Sequence, residues 1–474
     1  MRPAVARVLP LVLAAACGGG HDFVSRPAAI PPGYAIRNVR VFDAARGALL
    51  DGLLDVFVRD GRIVAVAKPG RPADGLVEID GRAGTLLPGL VDAHGHVVAG
   101  TAPPWLGELP NQTENLEAFL YAGVTTVLDA AALTPAVFGT RRQLAAGELV
   151  GPRLYAAGPM FTAPGGHPVA ILRATVPFFL RWYVVPRLSR ELGTPDEARA
   201  AVGALLAERP DVVKVVIDRL PPDAPRIGND VLAALVARAH EGGLRVVAHI
   251  GTSVDVEDAM AAGVDALLHG VYLEDISDAA VAAVRARNAP VAPTISVFDR
   301  VGEAGRMRPD GFSPLEREIA KPEVLQALTR FPEPTTPDLE RQKAMFAAVA
   351  AGRDARRRNV AKLRAAGVTI LAGSDSANTG HIPGAALHLE LAALVEAGMT
   401  PGEALRAATL DNARFIAGAD PEFGSIAPGK RADLVLVEGD PTADIRATQR
   451  IRDVFQNGVQ LERRPRQDPG GPAR

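Results

Sequence analysis

Four histidines and one aspartate stand where short apolar runs end. His94 and His96 close the run Leu87-Pro-Gly-Leu-Val-Asp-Ala-His94-Gly-His96. On extended chain, residues two apart face the same side, so both imidazoles can hold one cation, and Gly95 lets another backbone come close. His249 ends Val-Val-Ala-His249, His269 ends Ala-Leu-Leu-His269, and Asp375 ends Leu-Ala-Gly-Ser-Asp375. Neutral imidazole and carboxylate are ligands for divalent ions of borderline softness. A lone His-x-His says little. Five ligand-type groups at the ends of separate strand-like runs form a constellation that can hold metal.

Lys214 lies within Val212-Val-Lys214-Val-Val-Ile-Asp218. An ammonium among valines is costly to bury and would be repelled by nearby cations. A carbamate, formed from the lysine and carbon dioxide, would be an anion with one oxygen for each of two metals. With Asp375, a bridging hydroxide and neutral histidines, two divalent ions would then carry about one net positive charge. The alternative is that Lys214 extends to the rim and pairs with Asp218.

Side chains so far apart in the chain need a scaffold that gathers strand ends. Between residues 86 and 420, buried-strand runs alternate with Ala/Leu-rich helical stretches, the rhythm of parallel βα units. Strands are expected at 86–91, 125–129, 153–157, 212–217, 245–249, 266–269, 290–294 and 369–372. Eight such units predict an α/β protein built on a (β/α)8 TIM-like barrel, with the active site at the carboxyl ends of the strands. No glycine fingerprint follows the first strand, which argues against an open dinucleotide-binding sheet. A single helix is expected over 344–366, a long loop over 305–339, and a long, partly apolar connection over 161–190.

The two ends of the chain read differently. Alternating runs at 35–42, 53–58 and 62–66 surround the turn Asp60-Gly61, and 432–438 and 452–460 surround Asn457-Gly458. Residues 34–85 and 421–463 are therefore expected to form one small β-sandwich domain, beside a barrel of 86–420. Residues 18–33 read as a linker and 464–474 as a disordered tail.

The 52 basic and 54 acidic residues leave a net charge of −2, so no bulk positive field exists to hold nucleic acid. The single cysteine, Cys17, excludes a disulfide framework and any cysteine-cluster metal site. Residues 1–17 carry Arg2 and Arg7, then a short apolar core, then small residues ending at Cys17. That reads as a signal peptide, and the position of Cys17 resembles the lipidated cysteine of bacterial lipoproteins, although Ala14 stands where that pattern prefers Leu. The expectation is export, with the protein periplasmic and lipid-anchored through Cys17 as its one membrane contact. An ordinary secretory signal is the alternative.

Together these residues resemble the amidohydrolase superfamily, most closely its imidazolonepropionase-like branch with metal-dependent Xaa-Pro dipeptidases. The likeness runs from about Tyr34 to Leu461. It includes Gly165-Gly-His167, Ala404-Leu-Arg-Ala-Ala-Thr409 and the segment from Phe423-Gly-Ser to Arg431-Ala-Asp-Leu434. The resemblance implies that His94 and His96 bind the more buried metal with Asp375. It implies that His249 and His269 bind a second metal, and that N-carboxylated Lys214 bridges the pair. His167 looks like the substrate-side histidine after the third strand. Three departures matter. Ser374 stands where the family often has Thr. Ile217-Asp218-Arg219 follows the lysine run where several relatives have small residues and glycines. Thr252 stands where many deaminating relatives carry a carboxylate. The last, with the bridging lysine, points away from deamination.

The expected reaction is hydrolysis of an amide-like C–N bond, in a dipeptide or N-acyl amino acid, by a metal-bridged hydroxide. The two divalent ions are expected to be zinc, with manganese or cobalt also compatible. Asp375 would move the proton and His167 would steady the carbonyl oxygen. His167, Tyr272 and His381 are the candidates for touching the small-molecule or dipeptide substrate. Hydrolysis of a cyclic amide or imidazolone-type ring is the alternative, and a non-catalytic scaffold is the less favoured one. His240 and His388 read as helix packing or surface contacts, and His21 as part of the linker.

Overall fold

The computed structural model describes residues 22–221 and 223–466. The segment expected to be a signal peptide, Cys17 and His21 lie outside the described residues, as does the tail beyond 466. Among the described residues no helix is long and apolar enough to cross a membrane.

A ring of parallel strands forms the centre. Around it run Leu90–Gly95, Val124–Asp129, Arg153–Ala156 continued by Met160–Thr162, Val213–Val216, Val246–His249, Ala266–Leu268 and Val291–Ala292. The eighth position is thinner than expected. Segment 370–376 joins through isolated bridges, Ile370 to Val291 and Ser376 to Gly95, and through backbone hydrogen bonds such as Leu371 N–H to the Val291 carbonyl at 2.8 Å and Ala93 N–H to the Ala372 carbonyl at 3.1 Å, and these close the ring. The barrel and composite β domain expected from the sequence are both present.

Period-two alternation sorts the strand residues. Val213, Val215 and Ile217 pack outward in the large cluster beneath the helices, while Val212 joins the interior cluster. Lys214 shares its face with Val212 and so points into the barrel. By the same rule Val246 and Ala248 pack outward and Val247 inward, which carries His249 to the interior side.

The β domain uses both ends of the chain. The long strand Gly33–Asp43 pairs through its first half with Leu54–Arg59 and Val77–Asp80, and through Arg40 and Val41 with Thr85–Pro88. Leu434–Val437 then pairs with Thr85–Pro88, and Ile451–Gln456 with Leu434–Val437. Tyr34, Ile36, Val56, Leu86, Leu434 and Phe455 bury one another between these leaves. Asp60-Gly61 and Asn457-Gly458 all have positive φ, as tight hairpin turns require.

Several expectations need correction. The loop expected over 305–339 contains helices Pro314–Ile319 and Pro322–Leu328, each started by a proline in the first turn. Helix Ile295–Glu303 was not foreseen. The long connection of 161–190 folds into Val169–Thr175 and Arg181–Leu188. The single helix expected over 344–366 is two, Pro337–Ala351 and Arg353–Ala365, joined at Gly352. A Cβ at Gly352 would stand 2.1 Å from the Tyr272 carbonyl oxygen, so the break sits where the chain touches the barrel rim. The linker expected over 18–33 includes a strand, Val24–Ser25, paired with Glu462–Arg463. Arg464 and Arg466 donate backbone hydrogen bonds to Phe23 and Glu318, so order continues past 463.

Candidate metal centre and active site

The five histidines of the rim form one continuous arc. Ring centroids are 4.8 Å apart for His167–His249, 3.9 Å for His249–His269, 4.7 Å for His269–His94 and 5.3 Å for His94–His96. A carboxylate stands at each end. Asp375 Oδ1 lies 2.8 Å from His96 Nε2 and 3.4 Å from His94 Nε2. Asp218 Oδ1 lies 2.6 Å from His167 Nδ1, and its Oδ2 lies 3.1 Å from His249 Nε2. Lys214 is 1% exposed beneath the arc, with Nζ 3.5 Å from the Leu268 carbonyl oxygen. The Asp218 carboxylate turns to the histidines and to Tyr272 rather than to Lys214.

Local devices bring these groups in. The first strand changes register between Asp92 and Gly95, a bulge that re-aims its end. A Cβ at Gly373 would stand 2.9 Å from His94 Cβ, so glycine lets the eighth segment lie against the first strand. Ser374 Oγ donates to Asp92 Oδ2 at 2.5 Å and the Asp375 amide donates to the His94 carbonyl at 2.6 Å. The hydroxyl at 374 is what this clip needs, and Ser supplies it as Thr would.

His269 reaches the arc against alternation. Ala266 and Leu268 face the interior and Leu267 the helices, so an ordinary extended residue 269 would also face outward. Its φ of +146° turns it inward. Thr294 Oγ1 meets His269 Nδ1 at 2.6 Å, leaving Nε2 on the Asp375 side, 4.0 Å from Oδ2. Asp375 and Thr294 also have positive φ, +56° and +48°. Backbone strain of about 1–3 kcal/mol per residue persists only where surroundings enforce it, and it gathers at functional sites.

The electrostatics follow from burial and neighbours. Burial, with Lys214 and the other imidazoles, holds His94 well below the usual histidine range, and burial with His249 does the same for His269. Burial alone would raise Asp375, but His94, His96 and Lys214 outweigh it and keep it an anion. Burial pushes Lys214 down to about 7, against the pull of Asp375 and Asp218. His96 goes the other way. Burial disfavours its charge, yet the Asp129 and Asp375 carboxylates beside it raise it to about 10.

This donor set fits a divalent cation. Ligand atoms of His94, His96 and Asp375 lie within 4.8 Å of one another, and His94 Nδ1 is buried without a hydrogen-bond partner. A cation there would replace the proton shared by His96 and its carboxylates. A second group with the same spacing is His167, Asp218 and His249.

The other expected residues fall as follows. Tyr272 is 1% exposed, its hydroxyl donating to Asp218 Oδ2 at 3.1 Å and its ring stacked on Phe298 at 4.2 Å. His381 is fully buried, with Nε2 3.1 Å from Ser296 Oγ. His388 is packing: it bridges Thr448 and the Ala122 carbonyl, and His240 pairs with Asp265. Thr252 caps helix Ser253–Ala262 through a reciprocal bond with Asp255. Sequence reasoning missed Asp129, 3.6 Å from His96 Nδ1, and gave Asp218 only the role of a partner for Lys214. Asp129 ends the second strand, so the rule that found Asp375 would have found it too.

A model of the Amidohydrolase family matches residues 85–461. The chain is similar to an uncharacterised protein of Mycobacterium tuberculosis, 27% identical over 411 residues, 85% of this chain and 91% of the relative. Among solved structures it resembles a Xaa-Pro dipeptidase with bound methionine in the active site, with a TM-score of 0.73 and 22% identity over 90% of this chain and 99% of that one. It also resembles a prolidase complexed with N-methylphosphonate-L-proline, with a TM-score of 0.71 and 24% identity over 91% of this chain and 100% of that one. These structural likenesses speak for the fold.

Proposed function

The chain belongs to the amidohydrolase family and hydrolyses carbon–nitrogen bonds; on that premise we propose that it is a binuclear metal hydrolase of dipeptides or N-acyl amino acids. The observation that carries the reading is the unbroken arc from His94 to His249 with Asp375 and Lys214 beside it.

His94, His96 and Asp375 would hold one cation, and His249 and His269 the other. A carbamate on Lys214 would bridge them. Burial supports that modification, because an amine lowered to about 7 is available in the neutral form that attacks carbon dioxide. When bound, a pair of such ions acidifies the attacking water and polarises the scissile carbonyl.

The protein's own groups do the rest. Asp375, kept anionic by its histidines, accepts the water proton and returns it to the leaving nitrogen. His167 presents Nε2 to the carbonyl oxygen, since its Nδ1 is engaged by Asp218. Tyr272 and Phe298 make a stacked apolar wall behind the arc.

The test is cation content and turnover of the protein produced with zinc and bicarbonate, screened on dipeptides, N-acyl amino acids and cyclic amides. About two cations per chain and cleavage of the linear amides are expected. A chain that holds none, or that opens only rings, overturns the reading.

A further inference from the structure

Asp218 accepts hydrogen bonds from three side chains at once. It is 3% exposed. Oδ1 accepts from His167 Nδ1 at 2.6 Å, while Oδ2 accepts from His249 Nε2 at 3.1 Å and from the Tyr272 hydroxyl at 3.1 Å. We propose that Asp218 is a positioning residue that locks His249 toward the second cation and His167 toward the substrate, so that one side chain aligns both halves of the site. The proposal rests on the binuclear reading above.

The hydrogen bonds dictate the geometry. An imidazole whose Nε2–H is donated to a carboxylate has Nδ1 left as the ligand nitrogen, and one whose Nδ1–H is donated has Nε2 left. Asp218 therefore commits His249 and His167 to opposite nitrogens. Thr294 does the equivalent for His269, engaging Nδ1 at 2.6 Å. The two histidines assigned to the second cation are each held from behind by a different residue.

Asp218 is itself held. A Cβ at Gly251 would stand 3.1 Å from Asp218 Cβ and 3.2 Å from Tyr272 Cε1, so a side chain there would press on both the aspartate and the tyrosine. Tyr272 is fixed by its stack on Phe298, 13° from parallel, and by Arg356, which donates to its carbonyl at 3.1 Å.

Two measurements on the full chain test this. In the first, Asp218→Asn and Asp218→Ala are compared with the wild type for zinc content and for the absorption of the cobalt form, with melting temperature as the control for folding. The expected result is a second-cation affinity about 10- to 100-fold weaker and an intact first site. His167→Gln should then cost less turnover in the Asp218→Asn background than in the wild type, because the two act as a unit. Additive losses with both cations retained would overturn the proposal. So would a His269→Ala variant that keeps its second cation while Asp218→Asn loses it, since Asp218 would then be a ligand.

The second measurement needs no cation. Nitrogen NMR of the chelator-stripped protein should show His167 protonated at Nδ1 and His249 at Nε2, both altered in Asp218→Ala. The opposite tautomers in the wild type overturn the proposal. Correct tautomers in a wild type that binds a single cation uphold the lock and overturn the binuclear reading instead.

Discussion

His96 Nε2 meets Asp375 Oδ1 at 2.8 Å across 279 residues of chain. The contact joins the first barrel strand to the eighth segment, beside an isolated bridge and backbone hydrogen bonds such as Ala93 N–H to the Ala372 carbonyl. The groups that would grip the first cation are thus also part of what shuts the barrel.

Asp375→Asn keeps the size of the side chain and removes its basicity. Turnover should fall about 100- to 10,000-fold, the usual contribution of a positioned acid–base group. Kinetics beside cation analysis separates loss of proton transfer from loss of metal, and undiminished turnover would refute the assignment.

Lys214→Ala removes the amine that would carry the carbamate. The wild type should take up its second cation only when bicarbonate is present, and the variant should ignore bicarbonate. Chelator treatment followed by zinc, with and without bicarbonate, reads this directly. Equal recovery of the wild type in both conditions argues against carboxylation.

His388 offers a pH test away from the metal centre. Burial lowers it from 6.5 to about 4, while the Ala122 carbonyl pulls the other way. The unfolded chain therefore binds this proton first as pH falls. The stability from burying a neutral His388 is complete above 6.5 and is lost progressively toward 4. By pH 4.5 the loss is about 2–3 kcal/mol from this group. Denaturant titrations of His388→Gln should show lower stability than wild type at pH 7 and a shallower decline between pH 6.5 and 4.5.

Cys17→Ser tests the anchor. If Cys17 is lipidated, the wild type should fractionate with membranes and the variant should be released or retain its uncleaved leader. Identical fractionation of the two would leave an ordinary secretory signal.

Much of the site was legible because strand-end position and side-chain period are local properties. Alternation along Val212–Asp218 places Lys214 inside the barrel, and the run before His249 does the same for that residue. The hairpin turns at Asp60-Gly61 and Asn457-Gly458 were legible for the same reason, since positive φ favours those residue types. His269 shows the limit. Alternation points it outward, and only a φ of +146°, enforced by packing and Thr294, brings it round.

The amino-acid sequence by itself determined the barrel, the composite β domain and the ligand types at the strand ends, because each is encoded in the period and chemistry of a few adjacent residues. Tertiary structure alone decided which ring nitrogens of His167 and His249 meet a carboxylate, that Asp218 faces His167, His249 and Tyr272 rather than Lys214, and that Gly352 breaks a helix against the Tyr272 carbonyl. Those outcomes depend on contacts between segments far apart in the chain, and no local pattern records which distant group will fill a given hydrogen bond.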